Sequence, residues 1–294
     1  MADLTTRDFQ PRTVDKVERL LDLLEELNRH PDLKGRWAMH GGTAINLFML
    51  NVPRLSVDID LSYVGAIERE AMLTERPSFE RAVEEVARSQ GYDVPPSNGG
   101  HAGRTLTLRY RGDWGPDHVK IDCIFMNRSP ILPLIMQETV LRPGLQVRTF
   151  SNEELAAGKV KAFFDRVKIR DLYDIANLGR YFGERTRNGD NLRISHQLIL
   201  YYASLSACFP NDFSNRPERF VAKQRELEEQ LYPMLRGALE VPRFQDLLDA
   251  ADEFIETFVL PQTPDEEAYL QRFAQADYRP ELLFKEIRWP QQQR

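Results

Sequence analysis

The chain has 294 residues, of which 42% are hydrophobic and 29% are charged, as expected for a folded protein with one large domain or two ordinary ones. The net charge of −6 argues against broad coating of nucleic acid, so an RNA partner would need a local basic patch. The chain has no apolar run near the roughly 18 residues of a membrane helix and no secretory signal pattern, so we expect a cytoplasmic protein.

The first elements follow from apolar spacing. Residues 13–30 carry apolar side chains at helical intervals and predict an amphipathic helix. A short strand is predicted at Trp37–Met39, directly before the pair Gly41-Gly42. Residues 43–50 predict a helix, which Pro53 ends because proline cannot continue a helical hydrogen-bond ladder.

An alternating segment follows this helix. Val57, Ile59 and Leu61 point to one face of the predicted strand, and Asp58 and Asp60 point to the other. Side chains two apart on a strand lie about 7 Å apart on the same face. The two carboxylates are therefore held side by side, an arrangement suited to Mg²⁺, which binds one or two carboxylates together with water and substrate phosphates.

The glycine pair adds a second feature. Gly41 and Gly42 precede a helix start, where free backbone N–H groups can receive a phosphate. A glycine pair alone is more often a plain turn, and Asp-x-Asp alone is more often a solvated face. The acids return beside the glycines after one short helix, and together the two features predict a site for a nucleotide phosphate and a metal ion.

A hairpin contributes a third acid. After a helical region at residues 66–90, residues 104–111 and 118–126 alternate as strands around a Gly- and Pro-containing turn. Asp122 shares a face of the second strand with Lys120 and can come near the first two acids. A solvated surface acid is the alternative interpretation of Asp122.

The next motif begins at a capping box, Ser151-Asn-Glu-Glu154, which predicts a helix to about residue 167. Lys159 and Arg166 fall on one line along that helix. Lys159 can neutralise a triphosphate, although a single lysine is more often a solvated cation. Asp171 and Asp174 lie one turn apart and either pair with these cations or contact metal or substrate. Farther along, apolar stripes predict helices at 194–209, 217–239, 242–258 and 264–276.

The two motifs together resemble a known family. Gly41-Gly42-Thr43, Arg54-x-Ser56 and Asp58-Ile59-Asp60 are similar to the first motif of AbiEii/MenT-type toxins, within the DNA polymerase β-like nucleotidyltransferase superfamily. The second motif of that family resembles Lys159 followed by Ala162, Arg166 and Arg170-Asp171-x-x-Asp174. The resemblance implies an α/β fold with a mixed sheet, a nucleotidyltransferase core at 1–150 and a mainly helical C-terminal domain at 151–294 that contributes Lys159 to the site.

The resemblance also implies a function. The chain would be the toxin of a type IV toxin–antitoxin system, an enzyme that uses NTP and Mg²⁺, with two ions, to add NMP to the 3′ end of tRNA and so block translation. Its partners would be the NTP, an RNA acceptor and a cognate antitoxin encoded nearby. A membrane would not be among them. The implied catalytic residues are Asp58, Asp60, Asp122, Lys159 and Asp174; the implied nucleotide-binding residues are Gly41, Gly42, Thr43, Arg54, Ser56, Lys159 and Arg166; the implied metal ligands are Asp58, Asp60 and Asp122.

Two other functions remain open at this stage. The enzyme could transfer the nucleotide to a protein hydroxyl with the same core. Alternatively, the chain could be a nucleotide-binding module that acts without turnover.

Overall fold

The computed structural model describes residues 8–210, 217–237 and 241–285. The chain divides into two compact units, of which the first comprises Met1–Ser151 and Met234–Leu239, and the second comprises Asn152–Pro233 and Glu240–Arg294. Within the described ranges, no helix is long and apolar enough to cross a membrane.

The first unit is built on one mixed sheet of six strands, in the order β3-β4-β2-β1-β6-β5. In chain order the strands are β1 (Trp37–His40), β2 (Asp58–Tyr63), β3 (Gly103–Gly112), β4 (Gly115–Ile124), β5 (Ile135–Thr139) and β6 (Arg142–Thr149). β2 is antiparallel to β1 and parallel to β4, and β1 is parallel to β6. The mixed sheet and the predicted fold class are thereby confirmed.

The two long helices of the first unit lie against one face of this sheet. The long helices are α1 (Pro11–Arg29) and α3 (Arg69–Ser89), and a short helix α2 (Gly41–Thr43) continues as a π-helical turn at Ala44–Met49. Arg104 of β3 pairs with Glu84 of α3 at 2.7 Å, and Asp117 of β4 pairs with Lys16 of α1 at 2.7 Å. The apolar side chains on this face are buried: Ile59, Leu61, Leu106, Leu108, Val119, Ile121 and Cys123.

The alternate side chains of the same strands point to the opposite face, because neighbouring strand residues alternate in direction. This second face carries Asp58, Asp60 and Asp122, all half-buried. The sequence correctly predicted this division of β2, β3 and β4 into an apolar and a polar face. It also predicted the β3–β4 hairpin, which the structure confirms.

The β5–β6 hairpin was not predicted. Its buried residues Leu145, Val147 and Thr149 do alternate with more exposed ones, which is the signal that could have identified β6. The strand β5 is short, and four of its five residues are exposed or only partly buried, so its pattern resembles that of a loop.

The second unit is helical. Its helices are α4 (Asn152–Asp165), α5 (Ile169–Arg187), α6 (Arg193–Ser204), α7 (Phe244–Phe254), which continues as a π-helical turn at Ile255–Val259, and α8 (Pro264–Ala274), with a 3₁₀ turn at Pro280–Leu282. Buried rings of Phe163, Phe182 and Phe254 contribute to its core. The α4 helix begins where the capping-box motif predicted it.

The predicted helix over 217–239 is wrong. The described part of this stretch contains short turns at Pro217–Lys223, Leu227–Leu231 and Tyr232–Met234, and residues 238 and 239 lie outside the described ranges. Pro233 cannot donate a backbone hydrogen bond and clashes with the preceding helical turn, which interrupts a helix here. The stretch after Pro233 returns to the first unit, where Leu55 N donates to Met234 O at 2.7 Å.

Candidate active site

Strand register brings the three predicted acids to one region of the polar face. Asp60 of β2 is the direct partner of Asp122 on the parallel strand β4, and Asp58 lies two residues earlier on β2. Partners on neighbouring strands project to the same face. The pairing of Asp60 with Asp122 therefore sets two carboxylates side by side on separate strands, with a third about 7 Å along β2.

The chemistry of these donors suits a magnesium ion. Carboxylate oxygens are hard ligands, and Mg²⁺ in nucleotide sites usually takes one or two of them with water and phosphate completing its shell. Among the residues that the structure describes, no group of three or more His, Cys, Asp and Glu side chains is arranged to hold a metal ion. The assignment of Asp58, Asp60 and Asp122 as metal ligands thus stays a prediction. Of the three carboxylates, those of Asp60 and Asp122 belong to directly paired residues.

Thr105 is a neighbour of this pair that the sequence did not single out. It is the β3 partner of Asp122, and its hydroxyl donates a hydrogen bond to Asp122 Oδ1. This bond fixes the orientation of one carboxylate oxygen. The signal was present in the alternation of the hairpin, but the register between β3 and β4 was needed to place Thr105 opposite Asp122.

Gly41 lies against the Asp60 carboxylate. Its φ of +76° is in the left-handed region that favours glycine, and a Cβ built on it would lie 1.9 Å from Asp60 Oδ2. No side chain fits at this position while Asp60 keeps its place. The glycine that sequence analysis assigned to phosphate binding is therefore also required by the position of a predicted metal ligand.

The remaining residues of the first motif are buried. The Thr43 hydroxyl lies 2.9 Å from the Ser56 hydroxyl and donates to the carbonyl oxygen of Asp58. Arg54 is buried as well, and its Nη1 donates to Leu55 O at 2.9 Å. The contacts of Thr43 tie the end of α2 to the segment that leads into β2. A nucleotide contact by Thr43, Arg54 or Ser56 stays a prediction.

His40 is a second residue that sequence analysis missed. It is the β1 partner of Asp60, and its ring lies 5.6 Å from that of Phe150. Its Nε2 is buried with no hydrogen-bond partner among the described residues. Burial lowers the pKa of His40 to about 4, so the imidazole is neutral at pH 7. The position of His40 directly before Gly41 is the sequence feature that could have identified it as a candidate site residue.

The second motif forms a buried ion cluster within the second unit. Lys159 is 4% exposed, and its Nζ lies 3.0 Å from Asp171 Oδ1 and 2.8 Å from Asp174 Oδ2. Arg166 donates to both oxygens of Asp171, through Nε at 2.8 Å and Nη2 at 3.1 Å. Burial acts to raise the pKa of Asp171, but the charge of Lys159 and the hydrogen bond from Arg166 outweigh it and lower the pKa.

The ion cluster distinguishes Lys159 from its neighbour Lys161. Lys161 is partly exposed and pairs with Asp165 one turn along α4, as an ordinary surface lysine does. Lys159 is instead held by two buried carboxylates, one of which is Asp174. A direct catalytic role for Asp174 stays a prediction, and the contact that the structure gives it is this ion pair with Lys159.

Comparison with known proteins gives the following matches. The family described as nucleotidyl transferase AbiEii toxin, type IV TA system, matches residues 22–285. No curated protein sequence matches the chain. The fold is similar to that of the MenT4 nucleotidyltransferase toxin of Mycobacterium tuberculosis, with a TM-score of 0.57 and 16% identity over 91% of this chain and 94% of that one.

Two structures from Helicobacter pylori have the same fold. JHP933 gives a TM-score of 0.53 with 13% identity, covering 91% of this chain and 97% of that one. A putative nucleotidyltransferase gives 0.55 with 13% identity, covering 85% of this chain and 96% of that one. At such low identity these three similarities establish the fold and nothing finer.

Proposed function

Because this chain belongs to the AbiEii family of nucleotidyltransferase toxins of type IV toxin–antitoxin systems, we propose that it transfers NMP from an NTP to the 3′ end of tRNA and so blocks translation. The observation that supports this most directly is the pairing of Asp60 with Asp122 in register on β2 and β4. Two adjacent carboxylates on a polar sheet face suit the chemistry of a nucleotidyl transfer that depends on Mg²⁺.

The acids would act together with bound magnesium. Asp58, Asp60 and Asp122 would hold Mg²⁺, with two ions at full occupancy. When bound, Mg²⁺ supplies charge neutralisation at the triphosphate and favours ionisation of the attacking hydroxyl. Thr105, which donates to one oxygen of Asp122, would leave the other oxygen of that carboxylate available.

The transfer itself is an in-line displacement. The terminal ribose hydroxyl oxygen of the acceptor attacks the α-phosphorus of the NTP, and a new P–O bond forms as the bond to the β-phosphate breaks and pyrophosphate leaves. Asp122 would help to remove the hydroxyl proton. Gly41 and Gly42 would offer backbone N–H groups to the triphosphate, while the buried Thr43, Arg54 and Ser56 would hold this turn in position for the nucleotide.

The cationic residues of the second motif would stabilise the charge of the phosphates. Lys159 and Arg166 carry the positive charges that such a reaction needs at the departing pyrophosphate. Asp171 and Asp174 hold Lys159 in one conformation through the ion pairs described above. We propose that they pre-orient it, so that little conformational entropy is lost when the nucleotide binds. A cognate antitoxin is the further partner that the family implies.

A labelling assay tests this function. Purified protein is incubated with Mg²⁺, each α-labelled NTP in turn and total tRNA, and the RNA and protein fractions are then separated. We expect label in the tRNA fraction with at least one NTP and none when EDTA replaces Mg²⁺. Asp60→Asn should lower labelling more than 100-fold, the scale of losing a group that acts at the reacting centre, whereas Asp32→Asn, which changes an exposed acid after α1, should not.

The same assay contains the results that would refute the proposal. Label confined to the protein fraction would show that a protein hydroxyl is the acceptor. Binding of NTP with no label in either fraction would show that the chain acts without turnover.

A further inference from the structure

The polar face of the sheet changes in charge along β3 and β4, toward the turn that joins these two strands. Arg109 and Arg111 of β3 and Lys120 of β4 are all exposed on this face. Their positions follow from register, because Lys120 is the partner of Asp58 on β2 and of Thr107 on β3. The three cations, here called the hairpin cations, therefore lie on the same face as the three acids.

The hairpin cations form a line that leads away from Asp60 and Asp122. Asp122 and its partner Thr105 occupy one row of the sheet, Lys120 and its β2 partner Asp58 the next, and Arg109 and Arg111 the two rows beyond it. With about 7 Å between alternate residues of a strand, the line extends to roughly 20 Å from the Asp122 row. That length accommodates several phosphates of a nucleic-acid strand whose end lies at the acids.

Several other cations of the first unit form ion pairs with acids. Arg104 pairs with Glu84, and Arg12 and Lys16 both pair with Asp117. The hairpin cations make no side-chain hydrogen bond or ion pair with any residue in the described part of the chain. Acids do lie beside two of the hairpin cations, since Asp93 is the bridge partner of Arg109 and Asp58 is the strand partner of Lys120.

An exposed aromatic ring lies at the end of the line. Trp114, in the turn that joins β3 to β4, is 55% exposed. Cations that follow a phosphate backbone, together with an exposed aromatic ring on which a base can stack, are the combination used to bind single-stranded nucleic acid. An acidic peptide would also be attracted by the charge, but it brings no base to stack on Trp114.

We propose that Arg109, Arg111 and Lys120 bind the phosphates of the acceptor RNA on the 5′ side of its reacting end, and that Trp114 stacks on one of its bases. The inference rests on the proposed function in one respect, that the acceptor is RNA. Beyond the proposed function, it specifies the surface along which that RNA lies and the direction of the RNA strand. The 3′ end lies at Asp60 and Asp122, and the strand continues in the 5′ direction toward the hairpin turn.

The test is equilibrium binding of fluorescein-labelled total tRNA to the full chain, with Mg²⁺ and without NTP, so that no turnover is needed. The variant Arg109→Ala/Arg111→Ala/Lys120→Ala should bind about tenfold or more weakly. The slope of log K against log salt should fall by about two, since each phosphate contact on a single strand contributes about 0.7. Trp114→Ala should weaken binding by about tenfold with the slope unchanged.

Two controls separate this surface from net charge and from misfolding. Arg29→Ala/Arg69→Ala/Arg81→Ala removes three exposed cations from elsewhere on the same unit and should leave the salt slope unchanged. Arg109→Lys/Arg111→Lys keeps the charge and should retain most of the affinity. Binding of a fluorescent NTP to every variant reports that the nucleotide site is intact.

The outcomes distinguish this inference from the proposed function. Equal tRNA affinity and slope in the hairpin variant and in wild type would overturn the inference, even if wild type labels tRNA. Loss of tRNA binding in the hairpin variant alone would support the inference, even if no NMP transfer were found. A wild type that binds no tRNA and labels protein instead would overturn both.

Discussion

The Asp60 carboxylate occupies the space that a side chain on Gly41 would need. A Cβ at residue 41 would lie 1.9 Å from Asp60 Oδ2 and 2.7 Å from its Cγ. The φ of +76° at Gly41 adds a second constraint, because residues with a Cβ seldom adopt it. The predicted phosphate-binding turn and the predicted metal ligand thus depend on each other for their positions.

Gly41→Ala should therefore displace Asp60. We expect activity to fall at least tenfold and the free energy of unfolding to fall by about 1–3 kcal/mol, the usual cost of a strained backbone conformation. The matched control is Gly91→Ala, at a φ of +84° with no atom within 4 Å of the added Cβ. That variant should lose stability through strain but keep its activity. Full activity in Gly41→Ala would contradict the contact with Asp60.

The buried ion cluster predicts an asymmetry between neighbouring lysines. Lys159→Met should lower the free energy of unfolding by about 3–5 kcal/mol, because it leaves Asp174 buried without the charge that compensates it. Lys161→Met, which changes a partly exposed pair, should change stability by less than about 1 kcal/mol. Urea denaturation measures both. The double variant Lys159→Met/Asp174→Asn should recover part of the loss, and its failure to do so would show that packing dominates.

Asp117 predicts a pH dependence of stability. Burial acts to raise its pKa, but hydrogen bonds from Lys16, from the backbone N–H of His118 and from Arg12 outweigh it and lower the pKa to about 2. A carboxylate with a lowered folded-state pKa stabilises the fold above the unfolded value of 3.8 and loses that contribution as pH falls toward 2.

Asp117→Asn should accordingly be less stable than wild type at pH 6, by about 2 kcal/mol at most. The difference should shrink as the pH is lowered from about 4 to 2. Urea denaturation of both proteins across this range gives the comparison. A difference that stayed constant with pH would indicate that the loss arises from packing or hydrogen-bond geometry and not from proton binding.

His40 predicts a second loss of stability at low pH. Here burial itself lowers the pKa, whereas at Asp117 hydrogen bonds lower the pKa against the effect of burial. Because burial lowers the pKa of His40 from 6.5 to about 4, the folded state resists a proton that the unfolded state accepts. The contribution of His40 to stability therefore decreases as the pH falls from about 6.5 to 4. NMR titration of the imidazole without divalent cations, with His40→Gln to assign its signal, should give a pKa near 4. A value above 6 would contradict its burial.

The sequence predicted the parts of the fold in which local pattern and burial agree. The alternation around Asp58 and Asp60, and that around Asp122, assigned each acid to the polar face of its strand. It did not reveal that Thr105 faces Asp122 or that His40 faces Asp60, because both facts depend on register between strands distant in sequence. The proline at residue 233 was present in the predicted helix over 217–239, but the apolar stripe on either side of it favoured a continuous helix.

The candidate site shows the same limit. Lys159, Arg166 and Asp171 could be identified by motif and spacing, but the burial of Lys159 between two carboxylates is a tertiary property. The hairpin cations show this limit as well, because only the register between β3 and β4 aligns Arg109 with the acids.

The hydrogen bond from Leu55 to Met234 has a consequence for synthesis on the ribosome. The first unit draws its last segment from a point well past α6, so it is discontinuous along the chain. A nascent chain that has emerged only to Ser151 lacks this segment, although domains generally fold as they are translated from the N-terminus. Completion of the unit that holds Asp58, Asp60 and Asp122 therefore has to wait until much of the other unit has left the exit tunnel.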